Sequence, residues 1–209
     1  MNNSEKFWDK VSNLFDRPEK KIDQASTSFK TIEATKKMLD SNDVILDFGC
    51  GPGTITNEIA ESVKTIHTID ISSGMIAVAK RKAAQRNIEN IDFEQSNLFD
   101  EQYKKESFDV ILAFNILHYI EDMPKVMLRI NSLLKPEGLF ISATACLGER
   151  KTFLSMMMFF LTKIGLVPKM IFFKISELEN LLTNGNFVTV DSESLSRLPD
   201  CFIVAKKSL

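Results

Sequence analysis

From residue 44 onward, short runs of apolar and β-branched residues alternate with segments in which apolar positions recur every three or four residues. The uninterrupted runs are typical of strands buried on both faces, and the recurring positions are typical of helices with one apolar face. The predicted strands are residues 44–48, 65–71, 91–94, 108–114, 139–143, 187–191 and 201–205. The predicted helices between them are residues 54–62, 73–85, 124–134 and 176–183.

This regular alternation predicts an α/β fold, with a doubly wound, mostly parallel seven-stranded sheet and helices on both faces. The last two strands are separated by only about nine residues, which are too few for a crossover helix. We therefore expect the final strand to run antiparallel to its neighbour. Gly185 stands where a glycine that ends the last helix belongs.

Composition narrows the class of protein. The chain has 209 residues, of which 44% are hydrophobic and 26% are charged. It is long enough to bury one substantial core, and we interpret residues 1–209 as a single domain. The net charge is −2 and the pI is about 5.8, without the basic surface of a nucleic-acid-binding protein. We therefore expect no nucleic-acid partner.

Cysteines and histidines are few and widely spaced: Cys50, Cys146 and Cys201, and His67 and His118. They form neither a disulfide framework nor a spaced metal-binding motif, so no metal site is predicted. The polar N-terminal segment lacks the apolar core of a signal peptide, and the apolar run 153–161 is too short to span a bilayer. These features favour a cytoplasmic location.

A predicted buried strand ends in a glycine loop, and this loop is the most informative segment of the chain. Glycine occupies alternate positions, Gly49, Gly51 and Gly53, where it permits a positive φ and leaves no Cβ between the backbone and a ligand. At the carboxyl end of a strand in a doubly wound sheet, such a loop forms the ligand crevice.

The loop departs from the dinucleotide-binding pattern G-x-G-x-x-G in two ways. That pattern would place its third glycine at position 54, where this chain has Thr54, and an acid, Asp47, precedes the first glycine by two positions. A second acid, Asp70, ends the second predicted strand, 21 residues after Gly49. At about that separation a carboxylate can accept hydrogen bonds from both hydroxyls of a ribose, which also disfavours a 2′-phosphate.

The pattern D-x-G-x-G-x-G of residues 47–53 resembles motif I of the class I S-adenosylmethionine (SAM)-dependent methyltransferases. Further segments resemble that family in order and spacing: residues 71–75, 93–98, 107–119 and 134–138. The resemblance runs from about residue 44 to residue 143. It implies a Rossmann-like methyltransferase with SAM as its cofactor and S-adenosylhomocysteine as its product.

The resemblance also implies which residues contact the cofactor. They are Asp47, Gly49, Cys50, Gly51, Gly53, Asp70, Ile71, Met75, Asn97, Leu98, Phe114 and Asn115. Asn97 stands where the family commonly has aspartate, and its amide can still bond the edge of adenine. Cys50 is interpreted as a small space-filling residue and not as a nucleophile.

The remaining segments are expected to cover the site. His118 follows the fourth strand and is the candidate general base, with local hydrogen bonding as its alternative role. Residues 1–40 predict an N-terminal helical cover, with helices at 5–15 and 28–40 and with Trp8 and Phe15 closing over the cofactor. Residues 145–174, with an apolar stretch rich in Met and Phe, predict a substrate lid. A dimer surface and a peripheral membrane contact are the alternatives for that stretch.

We therefore expect a methyltransferase that acts on a small, apolar acceptor. The sequence indicates neither the acceptor atom nor the oligomeric state. Two other classes stay open: a non-catalytic SAM-binding regulatory or assembly protein, and an NAD-dependent oxidoreductase on the same fold. The displaced third glycine disfavours the oxidoreductase.

Overall fold

The computed structural model describes residues 3–16, 22–195 and 200–208. Within these ranges, one sheet is formed by β1 (Val44–Phe48), β2 (Thr65–Asp70), β3 (Ile91–Gln95), β4 (Phe108–Phe114), β5 (Leu134–Ala145), β6 (Phe187–Glu193) and β7 (Asp200–Lys207). The α-helices are α1 (Asn3–Val11), α2 (Thr27–Lys36), α3 (Thr56–Ile59), α4 (Ser73–Gln85), α5 (Met123–Leu133), α6 (Phe153–Lys163) and α7 (Ile175–Asn184). Short 3₁₀ turns lie at Ser12–Leu14, Ala60–Ser62 and Leu117–Tyr119.

The strands lie across the sheet in the order β3-β2-β1-β4-β5-β7-β6. The pairs formed among β1 to β5 are parallel, whereas β7 runs antiparallel to both β5 and β6. The predicted mostly parallel seven-stranded sheet with an antiparallel final strand is therefore confirmed. The chain proceeds from β1 to one side of the sheet and returns to its other side at β4. In open α/β sheets, ligands bind beyond the carboxyl ends of the strands at such a reversal.

Both faces of the sheet are buried, each under its own helices. On β1, Leu46 packs into a core that includes α5 and α7, whereas its neighbour Ile45 packs into a core that includes α2 and α3. On β4, Ile111 packs into the same core as Leu46, and Val110 packs into the same core as Ile45. Since successive side chains of a strand point to opposite faces, a strand buried on both faces reads as an unbroken apolar run.

The largest difference from the predicted strand bounds is at β5. The sequence predicts this strand at residues 139–143, but it begins at Leu134, which pairs with Phe108 before a bulge interrupts the ladder. Glu137 adopts a positive φ of 67° within the interruption. Residues 134–138, which the sequence analysis left outside the strand, therefore contain a break inside a longer strand, because pairing resumes beyond it at Leu139.

The N-terminal helices are shorter than predicted. α1 ends at Val11, and the chain continues to Leu14 as a 3₁₀ turn in which the N–H of Phe15 bonds the carbonyl of Ser12 at 2.9 Å. α2 ends at Lys36 and not at residue 40. The helix predicted at residues 54–62 consists of α3 followed by a 3₁₀ turn, whereas α4 has the predicted bounds.

Gly185 ends α7, but not through a left-handed backbone. Its φ is −85°, and the positive φ falls on the next residue, Asn186, at 62°. A Cβ on Gly185 would lie 2.8 Å from the Cβ of Met127 in α5. The glycine is therefore needed for the close packing of the end of α7 against α5.

Arg129 of α5 holds the loop that follows β3. Its guanidinium donates hydrogen bonds to the carbonyl oxygens of Leu98 at 3.0 Å, Asp100 at 3.0 Å and Tyr103 at 2.9 Å. A planar guanidinium can meet several fixed acceptors at once, which an ammonium cannot do in the same geometry. One side chain thus ties three carbonyl groups of this loop to α5.

Replacing Arg129 by lysine should lower the free energy of unfolding by about 2 kcal/mol, because partly buried carbonyls lose their donors. Chemical denaturation followed by circular dichroism measures the change. Arg81→Lys is the control, since Arg81 pairs with Asp16 at an exposed site, where an ion pair contributes at most about 1 kcal/mol. Equal losses in the two variants would contradict the role assigned to Arg129.

Candidate cofactor-binding site

The loop after β1 combines left-handed backbone with close packing. Gly49, Gly51 and Gly53 have φ values of 76°, 53° and 74°. A Cβ on Gly49 would lie 2.7 Å from the Ile116 side chain, and one on Gly53 would lie 3.0 Å from the Cβ of Ala79 in α4. A Cβ on Gly51 would have no atom within 4 Å. Gly51 is therefore the glycine that leaves space open above the loop.

Asp70, at the end of β2, is held against this loop by two backbone groups. Its Oδ2 accepts the N–H of Gly51 at 3.0 Å, and its Oδ1 accepts the N–H of Ser72 at 2.9 Å. Burial raises the pKa of Asp70, and the two backbone hydrogen bonds oppose that shift. Each oxygen retains a lone pair, so the carboxylate can still accept hydrogen bonds from ligand hydroxyls.

Asp47 is buried more deeply, with 2% of the residue exposed. It accepts a hydrogen bond from Thr56 Oγ1 at 2.5 Å. Burial, reinforced by the nearby Asp70, raises the pKa of Asp47 to about 7 despite that bond. Burial also raises the pKa of the Cys50 thiol, which disfavours the thiolate that a nucleophile requires.

These residues line a cavity of about 810 Å³ beyond the carboxyl ends of β1, β2 and β4. The volume falls within the range of roughly 300–1,000 Å³ that is usual for small-molecule sites. The predicted cofactor residues in its wall are Asp47, Gly49, Cys50, Gly51, Asp70, Ile71, Met75, Asn97, Leu98, Phe114 and Asn115. The remaining one, Gly53, packs behind the loop against α4. The structure brings the predicted residues together, and their contact with a cofactor stays a prediction.

Asn97 is fixed in the wall by a local hydrogen bond. Its Oδ1 accepts the N–H of Phe99 at 2.9 Å, in the manner of an Asx turn that aspartate and asparagine both form. The next residue, Leu98, is buried and its carbonyl is held by Arg129. The asparagine is therefore compatible with a position that commonly carries aspartate in the family.

Asp9 is a residue of the site that the sequence analysis missed. Its Oδ1 accepts the N–H of Gly74 at 3.0 Å and the hydroxyl of Ser72 at 2.7 Å, both at the first turn of α4. These bonds lower the pKa of Asp9, and a carboxylate at a helix N-terminus is further favoured by the helix dipole. A Cβ on Gly74 would lie 2.4 Å from Ser12 Oγ. α1 is thus fastened directly beside Asp70 by a contact that no local pattern reveals.

The N-terminal segment brings two aromatic residues to the cavity. Trp8 and Phe15 both lie in its wall. Trp8 packs edge-on against Tyr119, with ring centroids 5.4 Å apart. The N-terminal cover, and closure of the two residues over a cofactor, stay predictions.

His118 lies behind the cavity wall. The residue is 5% exposed, and its ring centroid lies 4.3 Å from that of Tyr119, which does line the cavity. Its Nδ1 is buried without a hydrogen-bond partner among the described residues. Burial lowers the pKa of His118 to about 4. A general-base role stays a prediction, and it requires the ring to turn toward the cavity.

Most of the predicted lid, residues 145–174, lies away from the cavity. Lys169 is the residue of this segment that lines it, whereas Phe153 and Phe160 of α6 are 80% and 66% exposed. The covering of an acceptor by this segment stays a prediction. In the described ranges, no helix combines the length and apolar character needed to cross a membrane.

Comparison with known proteins identifies the class. A family model described as "Methyltransferase domain" matches residues 39–170, which is more than half of the chain. The chain therefore belongs to the methyltransferase domain family. The sequence-based assignment to the class I SAM-dependent methyltransferases is confirmed, and SAM is the cofactor of this class.

Individual relatives match only about half of this chain. The chain is 30% identical over 110 residues to a ubiquinone biosynthesis O-methyltransferase of Pasteurella multocida, covering 48% of this chain and 45% of that protein. It is 29% identical over 115 residues to a malonyl-[acyl-carrier protein] O-methyltransferase of Halalkalibacterium halodurans, covering 54% and 42%. These matches span less than half the length of either relative.

A solved structure supports the fold. A SAM-dependent methyltransferase from Methanosarcina mazei superposes with a TM-score of 0.69 at 22% identity, over 84% of this chain and 97% of that one. At this level of identity the likeness establishes the fold alone.

Gly51→Ala should weaken SAM binding by at least about tenfold, because the new methyl group enters the open space above the loop. The stability cost should be limited to about 1–2 kcal/mol from the positive φ. Calorimetric titration with SAM and thermal unfolding measure the two effects. Gly165→Ala is a matched control, since Gly165 has a φ of 72° and equally open surroundings. Equal SAM affinity in both variants would contradict the placement of the cofactor.

Stability should depend on pH through His118. The folded pKa of about 4 lies below the ordinary value of 6.5, so the unfolded chain binds a proton between these pH values that the folded protein does not bind. The contribution is therefore fully present above pH 6.5 and is lost as the pH falls to about 4, an effect on the order of 2–3 kcal/mol. Denaturant unfolding of the native protein and of His118→Phe across this range measures it. Parallel pH dependences would contradict burial of a neutral imidazole.

Proposed function

We propose that this protein transfers a methyl group from SAM to a small, apolar acceptor and releases S-adenosylhomocysteine. One observation carries the proposal: the acid-and-glycine wall of the cofactor motif continues, within the same cavity, into an apolar wall. That apolar part consists of Trp8, Phe114, Ile116, Tyr119 and Ile120. Donor and acceptor would therefore share one enclosed space.

The residues present fit SAM. Asp70 offers carboxylate oxygens to ribose hydroxyls, and Gly51 leaves its backbone open to the cavity. Ile71 and Met75 supply apolar surface against which a base can pack. Bound SAM would supply an activated methyl group on a sulfonium sulfur: the acceptor would attack the methyl carbon in line, the carbon–sulfur bond would break, and S-adenosylhomocysteine would leave.

The main contribution of the chain is positioning. Trp8 and Tyr119 form an aromatic wall, and α1, which carries Trp8, is fastened by Asp9 to α4. Holding two reactants in alignment can lower a barrier by roughly 7–11 kcal/mol. A site of this kind works through enclosure and orientation, because the reactive group arrives already activated on the donor.

Charged side chains in the cavity wall would receive any polar group of the acceptor. Glu121 and Lys169 are joined by an ion pair of 3.2 Å, and Lys125 lies 4.8 Å from the centroid of the Phe99 ring. We assign the polar end of the acceptor to Lys125 and Lys169, and its apolar body to the aromatic wall.

The acceptor atom that we propose is oxygen, since the names of both curated relatives describe O-methyltransferases. A carboxylate oxygen needs no base. A phenol gains about 10²–10⁴-fold in rate from one, and His118 would be the base for such an acceptor. His118→Asn would then lower turnover of a phenol far more than turnover of a carboxylate.

Calorimetric titration with SAM, S-adenosylhomocysteine and NAD tests the cofactor part of the proposal. The native protein should bind both sulfur nucleotides and not NAD. Asp70→Ala should lower their affinity by about 10²-fold, because it removes two hydrogen-bonding oxygens from buried ribose hydroxyls. Asp92→Ala is the control, since Asp92 carries an exposed carboxylate on β3.

Turnover distinguishes the remaining alternatives. S-Adenosylhomocysteine formation should be measured with phenols and carboxylates that bear apolar chains of increasing length. Binding of SAM without turnover on any acceptor would favour the non-catalytic SAM-binding class. Binding of NAD instead, or retained SAM affinity in Asp70→Ala with unchanged circular dichroism, would overturn the proposal.

A further inference from the structure

α6 presents its apolar stripe to solvent and not to the core. Phe153, Met156, Met157 and Phe160 are 80%, 51%, 39% and 66% exposed. Their spacing of three and four residues places them on one face of the helix. A surface helix ordinarily turns such a face inward, yet the buried residue of α6 is a serine, Ser155. This apolar face of α6 is therefore exposed to solvent.

The exposed apolar surface extends beyond the helix. Ile164 and Leu166, on either side of a left-handed glycine, are 67% and 61% exposed. We define the apolar ridge as Phe153, Met156, Met157, Phe159, Phe160, Ile164 and Leu166. A contiguous exposed surface of large apolar side chains marks an interaction site more often than an idle surface.

The chain segment that carries the ridge is basic. Residues 148–174 contain five basic side chains and one acidic side chain, Glu149, which gives this segment a net charge of +4 within a chain of net charge −2. The basic residues are Arg150, Lys151, Lys163, Lys169 and Lys174. All five are exposed, and the Nζ of Lys163 lies 5.5 Å from the centroid of the Phe159 ring. The segment that exposes these apolar side chains is therefore net positive within a chain that is net negative.

We propose that the apolar ridge binds the surface of a bilayer that contains anionic phospholipids. A helix that lies in the interface buries its apolar face among the upper acyl chains, while lysine and arginine side chains reach the headgroups. α6 has 11 residues and is about 16 Å long, roughly half the thickness of the hydrocarbon core. The bound protein would therefore rest on the membrane without crossing it.

The positive charge of the segment favours an anionic lipid surface over a second copy of the chain as the partner of the ridge. In a symmetric dimer built on the ridge, the same patch would face itself. The exposed basic residues of the two segments, among them Lys163, would then be brought toward each other, and like charges at an interface oppose association. An anionic lipid surface supplies the complementary charge that a second copy lacks.

None of the seven ridge residues lines the cavity. The segment leaves and rejoins the body of the protein at one point, where the N–H of Gly148 bonds the carbonyl of Phe173 at 2.9 Å. The N–H of Ile175 also bonds Glu149 Oε2 at 3.0 Å. The two ends of the segment that carries the ridge are thus held together at its base.

The base of this segment adjoins the mouth of the cavity. The N–H of Ile171 donates to the carbonyl of His118 at 2.7 Å, and Lys169, which lines the cavity, pairs with Glu121. Membrane contact through the ridge would hold the cavity near the lipid surface. This step rests on the proposed function, because it gives an apolar acceptor dissolved in lipid a short route to the site.

Co-sedimentation with lipid vesicles tests the inference on the full chain. We expect binding to vesicles of phosphatidylcholine with about 30 mol% phosphatidylglycerol, weaker binding to pure phosphatidylcholine, and further weakening in about 0.5 M salt. The double variant Phe153→Glu/Phe160→Glu should lower the partition coefficient by at least about tenfold. The control Leu128→Glu/Val188→Glu adds the same charge at exposed apolar positions outside the ridge and should bind like the native protein.

The outcomes are separable from those of the proposed function, because vesicle binding needs neither SAM nor an acceptor. SAM affinity and circular dichroism should be the same in both double variants, which shows that each is folded. Absence of vesicle binding by the native protein would overturn the inference, as would equal binding by the two double variants. Conversion of a native dimer into a monomer by the ridge variant, without vesicle binding, would assign the ridge to a second copy.

Discussion

The hydrogen bond from the backbone N–H of Gly51 to Asp70 joins the carboxyl ends of β1 and β2, and the cofactor site depends on it. It fixes a loop whose backbone is left-handed at three glycines, and it orients a carboxylate that is itself buried enough for its pKa to be raised. Because β1 and β2 are parallel neighbours in register, their last residues meet at the same edge of the sheet. The loop and the acid therefore form one surface.

A second set of contacts completes this surface from a distant part of the chain. Asp9 bonds the first turn of α4 immediately after Asp70, and α1 thereby sets Trp8 against Tyr119. The same α4 packs against the glycine loop at Gly53 and Ala79. α4 thus supports both the floor of the cavity and its cover, and a displacement of this helix would alter the two together.

α6 exposes its apolar face to solvent, whereas the central strands and the helices packed on them bury theirs. Strands β1 and β4 bury apolar side chains on both faces, and α5 and α7 turn their apolar faces to the core. α6 instead exposes phenylalanine and methionine among basic residues. A chain that buries apolar surface efficiently elsewhere keeps such a face exposed at a cost in solvation, which is consistent with a partner that covers it.

The sequence by itself determined the order of elements, the doubly wound sheet with its antiparallel last strand, and the class of the site. Each of these follows from a local signal: apolar runs at strands such as β1 and β4, and the spacing of glycines and acids around residues 47–70. The resemblance to the methyltransferase family grouped the cofactor residues, which the structure places around one cavity with Gly53 behind its loop. Local signals are enough to predict the place of the site, because parallel strands bring their carboxyl ends to the same edge of the sheet whatever the details of packing.

Only the tertiary structure decided what depends on contacts between distant segments. Asp9 reaches the site through a hydrogen bond with Ser72, which lies 63 positions away in the chain. β5 begins earlier than predicted because Leu134 pairs with Phe108 of β4. The residue types alone did not indicate that His118 is buried behind the cavity wall, or that the apolar face of α6 is exposed to solvent. A sequence pattern records which residues are apolar or polar, but which face becomes buried is settled only when the elements pack against each other.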